Sequence, residues 1–120
     1  MKRRNLLLGT SALLATTLRA QTVPVRILVG APAGGSTDTL ARSLAQEMGR
    51  LLGRPVLVEN KTGAGGNIAA DAVAKAAPAG NTLLMSFTSH AINASLYPHL
   101  PFQPAKYLTP LTRCAASPSV

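Results

Sequence analysis

Apolar residues fall in short runs, and each run is followed by glycines and then by a helical pattern. Val25-Arg26-Ile27-Leu28-Val29 leads into Gly30 through Thr37, which contains Gly34-Gly35-Ser36, and a helical stretch follows from Asp38. Val56-Leu57-Val58-Glu59-Asn60 leads into Lys61 through Asn67, which contains Gly63-Ala64-Gly65-Gly66, and a second helix follows from Ile68. A third strand, Thr82 to Phe87, opens onto Thr88-Ser89-His90. The two complete units share their grammar but not their sequence. Strands alternating with helices predict an α/β fold with parallel strands and right-handed crossovers. Continuous apolar runs, rather than alternating ones, predict strands covered on both faces. All three loops then emerge at the carboxyl edge of one open parallel sheet, the edge at which such sheets bind ligands.

Both helices carry start and stop signals. For the first, Ser36 or Thr37 is the expected N-cap, and Asp38 complements the positive helix end. Leu40, Leu44, Met48, Leu51 and Leu52 recur at helical spacing and form the expected buried stripe. Gly53 suits the position just past the helix, and Pro55 blocks continuation. For the second, Asn67 is the expected N-cap, Asp71 and Lys75 form an i,i+4 pair, and Ile68, Ala72, Val73 and Ala76 give a narrow stripe of small residues. Pro78 and Gly80 end it.

The N-terminus changes the reading of charge. Met1-Lys2-Arg3-Arg4 is a basic head, Leu6 to Leu18 is small and apolar, and Leu18-Arg19-Ala20 offers a small-residue cleavage site before Gln21. Residues 1–20 are therefore read as a signal peptide, too short and too weakly apolar for a lasting membrane anchor. Arg3-Arg4 shortly before apolar residues fits twin-arginine export, and an ordinary export signal fits equally. Without Lys2, Arg3, Arg4 and Arg19 the formal charge of +8 falls to +4. The remaining basic residues are scattered with few aromatics between them, which argues against nucleic-acid binding. Cys114 is the only cysteine, so there is no intrachain disulfide or cysteine zinc cluster, and it is expected to be buried rather than reactive. Residues 21–120 amount to about one small domain. Three strands and two helices bury only a thin core, and residues 98–120 carry five prolines and little periodicity. The expectation is the front part of a larger protein.

Glycine loops before helices are the usual phosphate cradle. Gly34-Gly35-Ser36-Thr37 lacks the lysine of a Walker loop, and Gly63-Ala64-Gly65-Gly66-Asn67 puts Ile68 where the last glycine of a dinucleotide fingerprint belongs. The following strand ends in Ser86-Phe87, with no acid to hold a ribose. With nucleotides set aside, the chemistry left is anion recognition by backbone amides at helix N-termini. Glycines allow close approach. Ser36, Thr37, Asn67, Thr88 and Ser89 add short polar side chains, and Lys61 is the one cation in the loops. A small carboxylate held by neutral dipoles fits. The bland alternative is that the glycines only make tight turns, and three coincident loops favour the site. Asp38 either complements its helix or faces the cleft, where it could receive an ammonium or orient water.

Catalysis has weak support. A serine set would need Ser36 or Ser89 with His90 or His99 and Asp38 or Asp71, and there is no Gly-x-Ser-x-Gly elbow. No paired-histidine or carboxylate spacing suggests a metal, and no cofactor is expected. A small serine-dependent hydrolase and a nonfunctional, poorly folding remnant remain the alternatives.

Several motifs in order give the chain a family resemblance. Arg26-Ile27-Leu28-Val29, Gly34-Gly35-Ser36-Thr37-Asp38, Val58-Glu59-Asn60 with Gly63-Ala64-Gly65-Gly66-Asn67, and His90-Ala91-Ile92-Asn93 with Ser95-Leu96-Tyr97 resemble the N-terminal part of the Bug (TctC-like) substrate-binding proteins of tripartite tricarboxylate transporters. The resemblance runs from about Val23 to Pro110. It implies that residues 21–120 are part of the first lobe of a two-lobed periplasmic binding protein, monomeric and not an enzyme, that delivers a small carboxylate to membrane transporter subunits. By position it carries ligand contacts to Gly34, Gly35, Ser36, Thr37 and Asp38, to Gly63, Ala64, Gly65, Gly66 and Asn67, and to Thr88, Ser89 and His90. The sequence departs from the family pattern at Ala31-Pro32-Ala33, where an aromatic is usual, and at Ala79-Gly80-Asn81, Gln103 and Tyr107-Leu108. Family members are more than twice as long, so the cleft would have one wall.

Overall fold

The computed structural model describes residues 22–97, 99, 101 and 103–116. The expected signal peptide, residues 1–20, lies outside the described residues. The elements in chain order are β1 (Val25–Val29), α1 (Ser36–Leu52), β2 (Val56–Asn60), a 3-10 turn (Ala64–Gly66), α2 (Asn67–Ala74), β3 (Thr82–Met85), α3 (Thr88–Leu96) and α4 (Pro104–Tyr107). The three strands form one parallel sheet in the order β2-β1-β3. Val25 pairs with Val56 and Val29 with Asn60 on one side, and Arg26 pairs with Thr82 and Val29 with Met85 on the other.

This order makes the sheet doubly wound. The crossover through α1 runs from β1 to β2 and the crossover through α2 runs back past β1 to β3. Right-handed connections in opposite directions put the two helices on opposite faces. Ile27, Val29 and Met85 accordingly pack with Ala41 and Ala45 of α1, flanked by Leu44, Met48, Val56, Val58 and Leu83. The first crossover leaves toward one face and α3 leaves from the end of β3, so the topological switch falls between β1 and β3.

The central strand carries the core. Val25, Ile27, Leu28 and Val29 are at most 2% exposed, and burying each such side chain contributes about 2 kcal/mol before entropy is counted. The expectation of coverage on both faces holds for β1 and fails in part for β2. Leu57 is 48% exposed, and beside it Arg26 spans to Glu59 through two hydrogen bonds of 2.7 Å. That pair sits on the face that α2 does not reach at β2.

The helices start earlier than the sequence suggested, and their buried faces differ. On α1 the residues turned inward are Asp38, Ala41 and Ala45, with Leu44 and Met48 half-buried beside them. Leu51 and Leu52 of the expected stripe are 73% and 49% exposed, because the last turn of α1 overhangs the short sheet. On α2 the contact is made by Ala69 and Ala70, both fully buried, while Ile68 is 51% exposed. Small side chains let this helix sit close to the strands. Gly53 does end α1, at φ 62° in the left-handed region that glycine adopts at little cost, and Asp71 does bond Lys75, at 2.7 Å. The third strand stops at Met85, and Thr88-Ser89-His90, expected as a loop, is the first turn of α3. Cys114, expected to be buried, is exposed.

Candidate functional site

Three helices begin at the carboxyl edge of the sheet, and none is capped by a side chain. The N-cap residues are Gly35 for α1, Gly66 for α2 and Phe87 for α3. Ser36, Thr37 and Asn67, expected as caps, therefore sit one or two residues inside their helices. In α1 the first backbone bond is Thr39 N–H to Gly35 O at 2.9 Å, so the amides of Ser36, Thr37 and Asp38 precede it. In α3 the first is His90 N–H to Phe87 O at 2.9 Å, so those of Thr88 and Ser89 precede it. Free N–H groups and the positive helix ends attract an anion. The chain's four acidic residues are each paired with a cation: Asp38 with Arg42, Glu47 with Arg50, Glu59 with Arg26 and Asp71 with Lys75. No uncompensated carboxylate faces the edge, and Lys61 stands there at the end of β2, its own N–H bonded to Val29 O at 2.8 Å.

Asp38 lies in the first turn of α1 and ties the loop before it to the neighbouring strand. It is 3% exposed. Its Oδ2 accepts from Arg42 Nε and from Gly34 N–H, both at 2.9 Å, and its Oδ1 accepts from Asn60 Nδ2 at 3.0 Å. Arg42, then Gly34, then Asn60 hold the carboxyl down to about 2, since each bond favours the charged form. Asn60 Nδ2 also donates to Ala31 O at 3.1 Å. The first glycine loop is thus tied to the end of β2 at two points. Asp38 is the tie, and its oxygens are occupied by these bonds.

The second loop is wound left-handed. Gly63, Ala64, Gly65 and Gly66 have φ of 124°, 47°, 62° and 92°, and Ala64 is the one non-glycine with positive φ among the described residues. Gly66 N–H closes the turn onto Gly63 O at 3.0 Å. The loop passes over the end of β1 so closely that a Cβ on Gly30 would lie 2.6 Å from Gly66 Cα. From the other side, Gly65 O accepts from Ser89 Oγ at 3.0 Å and from Asn93 Nδ2 at 2.9 Å. Asn93 Nδ2 also donates to Asn67 Oδ1 at 3.1 Å, which leaves Asn67 Nδ2 buried and unpartnered among the described residues.

The second and third loops therefore meet at the topological switch. Gly65, Gly66 and His90 line a cavity of about 10 Å³ with Gly30, Ser86 and Phe87, room for about one water. Burial lowers the pKa of His90, which favours the neutral imidazole at this wall. The first loop stands at the same edge with Gly34, Gly35 and Ser36 exposed, outside that cavity. Ser89 is spent as a donor to Gly65, and no hydrogen bond joins His90 to Ser36 or Ser89 among the described residues. Those residues also hold no cluster of three metal-ligating side chains. Sequence reasoning missed Gly30, Arg42, Asn60 and Asn93. Arg42 lies four residues after Asp38 and Asn93 four after Ser89, a spacing that signals one helix face. For Asn93 the signal needed α3 to be recognised first.

Comparison with known proteins gives this architecture its class. The chain aligns with solved structures, among them one described as a periplasmic transporter, at 42% identity and TM-score 0.64, covering 69% of this chain and 28% of that one. MatC from Rhodopseudomonas palustris, solved with bound malate, matches at 41% identity and TM-score 0.64, covering 73% of this chain and 31% of that one. The fold is part of a periplasmic-binding-protein domain. Residues 40–120 match the family described as the tripartite tricarboxylate transporter family receptor, and the chain belongs to that family. BugT of Bordetella pertussis is 43% identical over 99 residues, 81% of this chain and 30% of that protein. A UPF0065 protein from the tcbD-tcbE intergenic region of Pseudomonas sp. strain P51 is 34% identical over 125 residues, 98% of this chain and 37% of that protein. The chain spans about a third of the length of these relatives.

Proposed function

We propose that this chain forms one wall of the ligand cleft of a periplasmic receptor that takes a small carboxylate and hands it to membrane transporter subunits. The observation that carries this reading is the convergence of three uncapped helix N-termini on one sheet edge, with every acidic side chain already paired. Backbone amides there supply donors without a fixed cationic partner, which suits a carboxylate that must be released again. The ligand contacts assigned are the amides of Ser36, Thr37, Gly63, Ala64, Gly65 and Thr88 and the hydroxyls of Ser36, Thr37 and Thr88. Gly34, Gly35 and Gly66, whose own amides are bonded within their loops, let the ligand approach, Asn67 and His90 stand beside them, and Asp38 and Ser89 serve from behind. The malate bound by MatC supports the ligand class. Residues 1–20 are assigned as the export signal, which places the mature protein in the periplasm, as a monomer.

The test is an amide-resolved titration of the chain with a panel of mono- and dicarboxylates, malate included. Shifts confined to residues 34–38, 63–67 and 88–90, at millimolar concentrations, are expected for one wall of a cleft. Micromolar affinity would show that this wall suffices alone. No shift with any member of the panel would sink the carboxylate reading. Hydrolysis of generic esters that disappears on Ser89→Ala would favour the serine-hydrolase alternative instead.

A further inference from the structure

The turn Gly63–Gly66 holds Ala64, the one non-glycine residue with positive φ among the described residues. Four successive residues hold positive φ, and one of them is an alanine. For an L-residue the left-handed region costs about 1–2 kcal/mol, and such conformations persist where the surroundings over-determine them. Two restraints act on this turn from outside it. One is steric: the backbone of Gly66 lies against Gly30 at the end of β1. The other is polar, and it comes from α3. The Gly65 carbonyl, at the apex of the turn, receives both Ser89 Oγ and Asn93 Nδ2, which lie one helical turn apart. Asn93 is 4% exposed, so its two donated bonds are made away from water, where they are stronger than at the surface.

We propose that Asn93 and Ser89 are positioning residues. Together they clamp the Gly65 carbonyl from α3 and so hold the left-handed turn, and the anion-facing amides it presents, in the binding arrangement. Ser89 thereby leaves the set of direct ligand contacts, and Asn93, to which the resemblance carried no ligand contact, enters the machinery behind them. The clamp also makes the second and third loops one body: what moves α3 moves the glycine turn. The functional half of this proposal rests on the carboxylate reading, whereas the structural half does not.

The experiment is amide hydrogen exchange on the full chain, followed by malate titration. Ser89→Ala removes one hydroxyl and is read first. Asn93→Asp keeps the shape but puts a carboxylate against Gly65 O. It also faces Asn67 Oδ1, to which Asn93 now donates, and regains a partner there only if the Asn67 amide turns over, so Ser89→Ala is the selective variant and Asn93→Asp the stronger one. Both variants are expected to exchange at least tenfold faster at Gly66 and Asn67, with the β1 amides unchanged, and to bind malate at least tenfold more weakly. Ser89→Thr, which retains the hydroxyl, is expected to restore both. Unchanged exchange at Gly66 and Asn67 in Ser89→Ala would overturn the proposal. So would acceleration spread equally over β1, which would mean general loosening, or faster exchange at the turn with malate affinity intact. If the unaltered chain shows no shift with malate or any other member of the carboxylate panel, the carboxylate reading fails, and the clamp stands or falls on exchange alone.

Discussion

Gly30 and Gly66 touch backbone to backbone: a Cβ built on Gly30 would come within 2.6 Å of Gly66 Cα and 3.2 Å of its carbonyl oxygen. Neither neighbour can swing aside, because one ends the central strand and the other closes a restrained turn. Gly30→Ala must therefore lift the second loop from the sheet. The expected loss is about 1–3 kcal/mol, the usual range for overpacking, seen as a lower urea midpoint. Gly49→Ala is the control of opposite sign. It lies inside α1 with its nearest new contact at 3.5 Å, and replacing a helix-interior glycine raises stability by about 0.5–1 kcal/mol.

The left-handed turn makes a second pair of substitutions diverge. At Ala64, φ is 47°, so Ala64→Gly relieves a conformational penalty that outweighs the added freedom of the unfolded chain. A gain of up to about 1 kcal/mol is expected. At Gly65 the added Cβ would lie 2.9 Å from Asn93 Nδ2 while φ stays positive, so Gly65→Ala strains the backbone and pushes on the clamp together. It is expected to lower stability by about 1–3 kcal/mol. Urea unfolding of the two variants side by side checks the sign of each; the same sign for both would contradict the turn geometry.

These positions show how far the sequence could be read. The strands, their parallel direction and the edge at which the loops gather followed from apolar runs and glycines, because those signals are local. What the sequence concealed was long-range. Nothing near Asn60 says that it will bond Asp38 twenty-two residues away, and nothing near Gly30 says that Gly66 will cross it. The caps misled for a related reason. Ser36 and Asn67 are good N-cap residues, yet a glycine precedes each and takes the cap position: Gly66 in the left-handed backbone that glycine adopts at little cost, Gly35 in an extended backbone open to any residue. The leucine stripe of α1 misled because the sheet beneath it is only five residues deep, too short to cover the last turn.

Cys114 is exposed in a segment without helix or strand. An exposed thiol outside helix and strand should react as it does in a short peptide. Labelling with a maleimide in native buffer is expected to proceed within about threefold of the rate in concentrated urea, with no change in the unfolding midpoint of the labelled protein. Protection by tenfold or more in native buffer would mean that the thiol is covered.

Acid should act on the fold through Asp38. Its folded-state carboxyl titrates at about 2 against an ordinary value of 3.8, so the folded state holds its proton more weakly than the unfolded chain does. A depressed pKa gives stability that is fully present above the unfolded value and lost as pH falls through the folded one. The window runs from about pH 4 down to about pH 2. Glu59, also lowered by Arg26, adds to the same trend, so a single variant cannot be read alone. Asp38→Asn is expected to lower the urea midpoint at pH 7, and the gap to the unaltered chain should close progressively below pH 4, to a small remainder near pH 2. Glu59→Gln should leave that gap in place, because its pair lies on the opposite face of the sheet from the Asp38–Asn60 tie. A gap between Asp38→Asn and the unaltered chain that stays constant from pH 7 to pH 2 would show that Asp38 contributes through its shape rather than its charge.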